Sequence, residues 1–271
     1  MIGFPGGFTV LMAVYRADSV RLFLRAVESV YANRLRPDHF VLVVDGPIAT
    51  ELDAAITEVA SRHRLEVLRL AENRGLAEAL NAGLQQVRTE WVVRADADDW
   101  NLPDRFERQA EVVTDGLDLM GGAILETDQD AKPVAIRRTP TQHEDIVRYA
   151  RARNPFNHMT VAFRTRLARE CGGYPVLRLR EDYGLWALML HRDARTMNLP
   201  TILVHATAGL GMYRRRGGLR YARDEFQLQR HLVRCGLKGP VLGAFHAISR
   251  AVVFLLPAAV RGLIYRRVLR H

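Results

Sequence analysis

The sequence predicts an α/β fold, a mostly parallel twisted sheet flanked by helices, and three observations carry that reading. Apolar strand candidates alternate with helical patterns, as in successive βαβ units. Phe40 to Val44 is near-continuously apolar, as strands buried on both faces are. An apolar run ending Val92-Val93-Arg94-Ala95 leads straight into Asp96-Ala97-Asp98-Asp99, three carboxylates within four residues. With 271 residues, 48% of them hydrophobic and 25% charged, the chain is long enough to build a full core.

The elements follow in order. Thr9 to Tyr15 reads as the first strand, and Asp18 is placed to cap a helix whose Val20, Leu24, Val27 and Val30 share a face. Phe40 to Val44 ends at Asp45-Gly46-Pro47, a turn sequence. Leu65 to Leu70 is the third strand. Gly75 opens a helix with Leu76, Leu80, Leu84 and Val87 on one stripe, and Trp91 to Ala95 is the strand that delivers the acids. Pro103 suits the first turn of the next helix. No internal repeat or low-complexity segment interrupts the pattern.

In open α/β sheets, ligands bind beyond the carboxyl ends of the strands. Tyr15, Asp45 and Asp96 to Asp99 all stand at such ends. Together they suit a nucleotide: an aromatic face for the base, an acid for a base N–H or ribose hydroxyl, and a metal-binding pair for the diphosphate. A hard cation takes one or two carboxylates and leaves its other positions to phosphate and water. Each residue also has a plain structural reading. The acidic run can be a solvated turn or a helix cap, Tyr15 a strand-end aromatic, and Asp45 the side chain that closes an Asx turn before Gly46.

Charge is distributed unevenly. From Arg214 to His271 there are thirteen basic residues against Asp224 and Glu225, so this segment carries +11 of a net +9 and the remainder −2. Such a tail seeks an anionic partner. Ala251 to Val260 has ten uncharged residues between Arg250 and Arg261, about half of the ~20 that span a bilayer. It reads as an interfacial segment on an anionic membrane surface, with arginines reaching the headgroups, or else as a helix packed on the main body. Nucleic acid is disfavoured, since the apolar residues form a block instead of interleaved stacking aromatics. The start of the chain lacks the basic and apolar regions of a secretory signal, and Cys171 and Cys235, 64 positions apart, form neither a CxxC pair nor a disulfide framework. Both features place the body in the cytoplasm.

Val10 to Tyr15, Val43-Val44-Asp45-Gly46, Glu72 to Ala77 with Asn81-Ala82-Gly83, and Arg94 to Asp99 resemble motifs of the family 2 glycosyltransferases of GT-A (Rossmann-like) fold, especially the exopolysaccharide, O-antigen and amylovoran-synthesis type. Asn154-Pro155-Phe156-Asn157-His158-Met159-Thr160, Gly172-Gly173-Tyr174 and Glu181 to Trp186 continue the likeness, and Tyr213 to Gly218 with the Leu-Leu-Pro tail resembles this subgroup. The resemblance implies a GT-A domain over 1–216, with a nucleotide-binding half at 1–115 and an acceptor-binding half at 116–216. A basic amphipathic helical region that associates with membrane follows at 217–271.

By the same resemblance, Ala13, Tyr15 and Asp45 would line the nucleoside pocket. Asp96 would approach the ribose or metal-bound water, and Asp98 would ligate Mn²⁺ or Mg²⁺ on the donor diphosphate. Arg74 and Arg94 fall where neighbours of the nucleotide are expected. Asp182, in the first turn of a helix with Leu185, Trp186, Leu188 and Met189 on its buried face, would be the general base; its plain reading is stabilisation of the helix dipole by the Glu181-Asp182 pair. His158 could sit near the donor sugar or be a structural histidine. The implied function is inverting transfer of a sugar, from a nucleotide sugar of the UDP type, to a lipid-linked saccharide at the cytoplasmic face of the plasma membrane. A sugar-nucleotide pyrophosphorylase would need a Gly-rich loop that Ala13 to Asp18 lacks, and a non-catalytic scaffold on the same fold would be expected to lack one of the acids.

Overall fold

The computed structural model describes residues 3–128, 131–207 and 218–255. The first half follows the predicted alternation: β1 (Phe8–Val14), α1 (Val20–Tyr31), β2 (His39–Val44), α2 (Thr50–Arg62), β3 (Leu65–Arg69), α3 (Leu76–Gln86) and β4 (Trp91–Arg94). Then come β5 (Trp100–Asn101), α4 (Arg105–Glu111), β6 (Leu119–Thr127), β7 (Pro133–Arg137) and α5 (His143–Tyr149). A 3-10 turn at His158–Thr160 leads into β8 (Ala162–Arg164), α6 (Thr165–Glu170), α7 (Glu181–His191), β9 (Thr196–Thr207), α8 (Leu219–Arg234) and α9 (Pro240–Leu255).

The sheet runs β3-β2-β1-β4-β8-β6-β9-β5, with β7 paired to β6. The mostly parallel expectation holds for β3-β2-β1-β4 and is corrected beyond it to a mixed sheet. Strand β8 lies antiparallel to both β4 and β6, β6 pairs parallel with β9, and β5 and β7 are antiparallel additions. The physical reason is connection length: β6 and β7 are joined by residues 128–132 alone, too few for the crossover that a parallel pair requires, whereas α5, α6 and α7 separate β6 from β9, which pair parallel.

Alternation along the strands sorts the core into two layers. Val10, Met12, Phe40, Leu42, Trp91 and Val93 face α1, α2 and α4, while Leu11, Val41, Val43 and Val92 face α3 and α7, where Trp186 is wholly buried. A smaller cluster of Tyr183, Ala187, Leu228, Leu232 and Cys235 joins α7 to α8. Polar contacts reinforce this joint. Arg178 pairs with Asp224 at 2.9 Å, the His231 Nε2 lies 3.0 Å from the Gly184 carbonyl, and buried Glu225 accepts from Arg250 of α9 at 3.0 Å.

Several local expectations are adjusted. Asp18 does not cap α1: Ser19 holds the cap position without a side-chain bond, and the Asp18 carboxylate turns back to accept from the Tyr15 N–H at 2.9 Å. Pro103 precedes α4, whose cap position is Asp104. Leu76 lies on the exposed side of α3, leaving Leu80, Leu84 and Val87 on the buried stripe. The expected interfacial segment Ala251–Val260 divides: 251–255 close α9, with Ala251 and Phe254 buried and Val252 exposed, and 256–260 lie outside the described residues, as do Tyr213 to Gly217 and the basic end of the chain.

Candidate functional site

Register brings the predicted residues to one edge. Because β2, β1 and β4 are parallel neighbours, Asp45, Tyr15 and Ala95 to Asp99 leave the sheet side by side. β8 runs the other way, with Ala162 opposite Val93, so the segment that precedes it, Asn154 to Val161, arrives at that same edge. The Arg94 N–H donates to the Val161 carbonyl at 2.9 Å and fixes the join. β9 ends there as well. Its Thr207 hydroxyl donates to the Asp98 carbonyl at 2.6 Å, and the Thr207 N–H donates to Asp99 Oδ1 at 2.9 Å.

The acidic run is a built loop with distinct roles along it. Asp99 is buried, bound by Thr207, and its other oxygen has no partner. Asp98 opens to solvent, and its backbone carbonyl also accepts from Arg25 at 3.2 Å. Asp96 is partly exposed and meets the buried Arg94 guanidinium at 2.5 Å. Arg94 therefore stands beneath the site, pairing with Asp96 and donating to the Leu11 carbonyl at 3.2 Å and to that of Ala95, instead of facing a nucleotide from the cleft. A second buried cation, Arg105, donates to the Arg94 carbonyl at 2.8 Å and to Asn101 and Gln109. Burial pushes Arg105 down to about 9.

Crowding perturbs the acids. Surrounding protein desolvates the Asp98 carboxyl even though the residue opens to the cleft, and with Asp96 and Asp18 adding like charge it is pushed up to about 6. Asp18 is likewise raised to about 6, by burial first and then by Asp96. Burial holds Asp99 well above the ordinary range. From sequence Asp18 reads as a helix cap and Arg105 as an ordinary helix residue. Nothing in local spacing marks either.

Asp45 acts as a loop organiser. Its carboxylate accepts from the Arg74 N–H at 2.7 Å, the Gly75 N–H at 2.9 Å and Asn73 Nδ2 at 3.0 Å, and the residue is buried. Gly46 has φ +82° and packs so closely that a Cβ would collide with the Asn73 backbone nitrogen. The Arg74 side chain projects outward, 3.6 Å from Glu72. Tyr15 is 45% exposed, an open aromatic at the end of β1, and Ala13 is half-buried. A recess of about 320 Å³ lies between the ends of β2 and β3, lined by Gly46, Pro47, Ile48 and Leu70, but none of Tyr15, Asp96, Asp98 or Asp182 borders it.

On the opposite wall, α7 begins with Glu181 and Asp182, as expected. Trp186 and Tyr174 form an aromatic wall around His158, whose Nε2 is 3.2 Å from the Tyr174 hydroxyl. Asn81 holds the Tyr174 backbone at both ends, accepting from its N–H at 2.7 Å and donating to its carbonyl at 2.8 Å. Gly173, at φ +77°, has no room for a Cβ against Asn81. These bonds give a physical reason for Asn81 and for Gly172-Gly173-Tyr174. Burial pushes His158 down to about 4, so it is neutral at physiological pH. Burial and then Asp182 raise Glu181 to about 7. Asp182 is tied to this edge through Asn154, whose Nδ2 donates to it at 2.6 Å and whose segment joins β4 where the Arg94 N–H meets the Val161 carbonyl.

The donor set fits a hard divalent cation. Asp96, Asp98 and Asp18 supply only oxygens, and their mutual repulsion is relieved by added positive charge. Among the described residues no group of three or more acidic, histidine or cysteine side chains encloses an ion by itself. A cation shared with a diphosphate needs only one or two of them.

Comparisons with known proteins identify the family and the fold. The Glycosyl transferase family 2 description matches residues 9–216. An uncharacterized glycosyltransferase of Haemophilus influenzae is 36% identical over 266 residues, covering 97% of this chain and 99% of its own length. The amylovoran biosynthesis glycosyltransferase AmsE of Erwinia amylovora is 34% identical over 262 residues, covering 96% of this chain and 98% of its own. The UDP-Gal:alpha-D-GlcNAc-diphosphoundecaprenol beta-1,3-galactosyltransferase of Escherichia coli is 33% identical over 266 residues, 97% of each chain. Among solved structures, S. aureus TarS 1-349 in complex with UDP superposes with a TM-score of 0.66 at 17% identity, over 91% of this chain and 70% of that one. The Pyrobaculum calidifontis mannosyltransferase PcManGT, in complex with GDP-Man and Mn2+, gives 0.63 at 17% over 97% and 80%. The fold is GT-A-like with a mixed sheet, and the chain belongs to glycosyl transferase family 2.

Proposed function

We propose that this chain transfers a hexose with inversion from a UDP-sugar to a lipid-linked saccharide during cell-surface polysaccharide assembly. The observation that carries the reading is an acidic loop at the end of β4, Asp96 to Asp99, with a second acid, Asp182 of α7, tied through Asn154 to the segment that meets β4 at Arg94 and Val161. The named relatives support the rest: one uses a diphosphoundecaprenol acceptor and UDP-Gal, and another serves amylovoran biosynthesis.

In this reading Tyr15 stacks on the base, Ala13 leaves room beside it, and Asp45 holds the loop through Arg74 and Gly75 against the nucleoside. Asp98 and Asp96 hold Mn²⁺ or Mg²⁺, which when bound neutralises the charge of the diphosphate leaving group. Arg94 holds Asp96 in orientation from below. Asp182 takes the proton of the acceptor hydroxyl as that oxygen forms its bond to the anomeric carbon. The bond from that carbon to the diphosphate breaks, and UDP departs with the electron pair. A single displacement inverts the anomeric centre and needs no covalent intermediate. His158, held neutral, presents a polar edge to the sugar without adding charge.

The C-terminal hairpin supplies the membrane contact at the cytoplasmic face. α9 exposes Val241 (83%), Phe245 (65%), Ile248 (57%) and Val252 (55%) along one stripe, while Arg223, Arg230 and Arg234 are exposed on α8. An apolar stripe beside arginines suits an anionic bilayer surface. No described helix is long and apolar enough to cross a membrane.

The test is UDP release from a panel of UDP-sugars with Mn²⁺, together with UDP binding. Wild type should turn over one donor, and Asp98→Ala should lose metal-dependent UDP binding. If wild type turns over no nucleotide sugar and Asp98→Ala binds UDP with metal as tightly as wild type, the proposal fails.

A further inference from the structure

Asn154 touches the proposed base and has no part in the reaction as described. Its Nδ2–H donates to Asp182 Oδ2 at 2.6 Å, and its Oδ1 accepts from the Phe156 N–H at 3.3 Å. A backbone N–H can only donate, so the second bond decides which end of the amide faces the carboxylate. The segment around it is anchored independently. Asn198 Nδ2 donates to the Pro155 carbonyl at 3.0 Å, Asn157 Nδ2 donates to the Gly122 carbonyl at 2.8 Å, and the Thr160 hydroxyl donates to the Asn157 carbonyl at 2.7 Å. Asp182 is fixed from its own side by α7, whose Leu185 and Trp186 are wholly buried.

We infer that Asn154 is a positioning residue for Asp182, occupying Oδ2 so that Oδ1 is the oxygen offered to the acceptor hydroxyl. The inference rests on the reading of Asp182 as base. A neutral amide is chemically suited to the task. It donates to a carboxylate without a competing charge, whereas a lysine or arginine would neutralise the base and a carboxylate would share its proton. The charged and titratable groups around Asp182 are Glu181 and Arg180 at the start of α7, and His158 and Tyr174 across from it, with Arg94 and Asp96 acting on that same pair. Glu181 is held partly protonated and His158 neutral, so neither places a full charge beside Asp182 at neutral pH.

The decisive experiment titrates the Asp182 carboxyl by ¹³C NMR in full-length protein labelled at aspartate, with Asp182→Asn used to assign its resonance. Wild type is compared with Asn154→Ala and with the isosteric Asn154→Asp, each checked for native circular dichroism. The Asp182 midpoint should move to higher pH in Asn154→Ala and further in Asn154→Asp, by about one pH unit or more. The acid limb of kcat/KM should move with it, and activity below that limb should fall by about 10- to 100-fold. Coincident midpoints in wild type and Asn154→Ala would overturn the inference and leave Asn154 a loop residue. Full turnover by Asp182→Asn would overturn the base reading itself, a different result obtained from a different variant. Should Asn154→Ala fail to fold, Asn154→Ser, too short to reach Asp182, takes its place, because Asn154→Asp adds a negative charge that raises the Asp182 midpoint whatever the role of Asn154.

Discussion

Asp98→Asn should make the metal-free protein more stable at neutral pH while removing its response to metal and UDP. The Asp98 carboxyl is held at about 6 against an ordinary 3.8, chiefly by desolvation and then by Asp96 and Asp18. A raised acid binds its proton more tightly in the folded state, so the ionised form opposes folding. The penalty is fully present above about pH 6 and fades as pH falls toward 3.8. Taken at face value this amounts to about 3 kcal/mol at pH 7. Asp98 opens to solvent, so screening reduces the effect to about 1 kcal/mol. The bonds that hold the loop use the Asp98 backbone carbonyl, from Thr207 and Arg25, and survive the substitution. Urea unfolding in EDTA at pH 7.5 should therefore show Asp98→Asn about 1 kcal/mol more stable than wild type, the difference vanishing near pH 4. In Mn²⁺ and UDP the order should reverse, because only wild type gains from ligand binding. A variant less stable than wild type at pH 7.5 without metal would refute the account of the acidic loop.

Other outcomes follow from the same geometry. Arg94→Met should destabilise the fold by about 3 kcal/mol in urea unfolding, the lower end for a broken buried pair, since Asp96 remains partly open to water; a loss under about 1 kcal/mol would contradict the buried-pair reading. Asp182→Asn should bind UDP and Mn²⁺ as wild type does while turnover falls by about 10²- to 10⁴-fold, and equal turnover would remove Asp182 from the mechanism. Metal-dependent UDP binding should weaken as pH drops through about 6, where Asp98 and Asp18 take up protons, and calorimetry showing constant affinity from pH 7.5 to 5 would count against both acids. A Phe245→Glu/Ile248→Glu variant should lose about tenfold or more in sedimentation with vesicles containing phosphatidylglycerol, and unchanged binding would exclude α9 as the contact.

The parallel half of the sheet was legible because β1, β2 and β4 are short apolar runs followed by polar ends, and because parallel register makes each such end a neighbour of the next. That places Tyr15, Asp45 and the Asp96 to Asp99 loop together without any knowledge of side-chain contacts. The antiparallel half gave no comparable signal. β6 carries Gly121 and Gly122, β8 has three residues, and β9 contains Asn198 and Pro200, so none shows an apolar run. Partners were less legible than positions. Asp45 could be read as a ligand for a base, but its oxygens are bound by the loop at 73–75, which lies some thirty residues on in sequence. Arg94 could be read as a nucleotide neighbour, yet strand alternation turns it into the layer under Asp96. The Asn154 to Thr160 motif was visible as a likeness, and only the fold shows that one of its amides meets Asp182.

The central claim is that Asp182 drives a direct displacement at the anomeric carbon of a nucleotide sugar held by the Asp96–Asp98 loop. Proton NMR of the product formed from an α-linked UDP-sugar, with undecaprenyl-diphosphate-linked N-acetylglucosamine as acceptor, tests it most directly. A β-linked product is expected from wild type, and Asp182→Asn should fail to make it. An α-linked product, or a β-linked product formed equally well without Asp182, would contradict it.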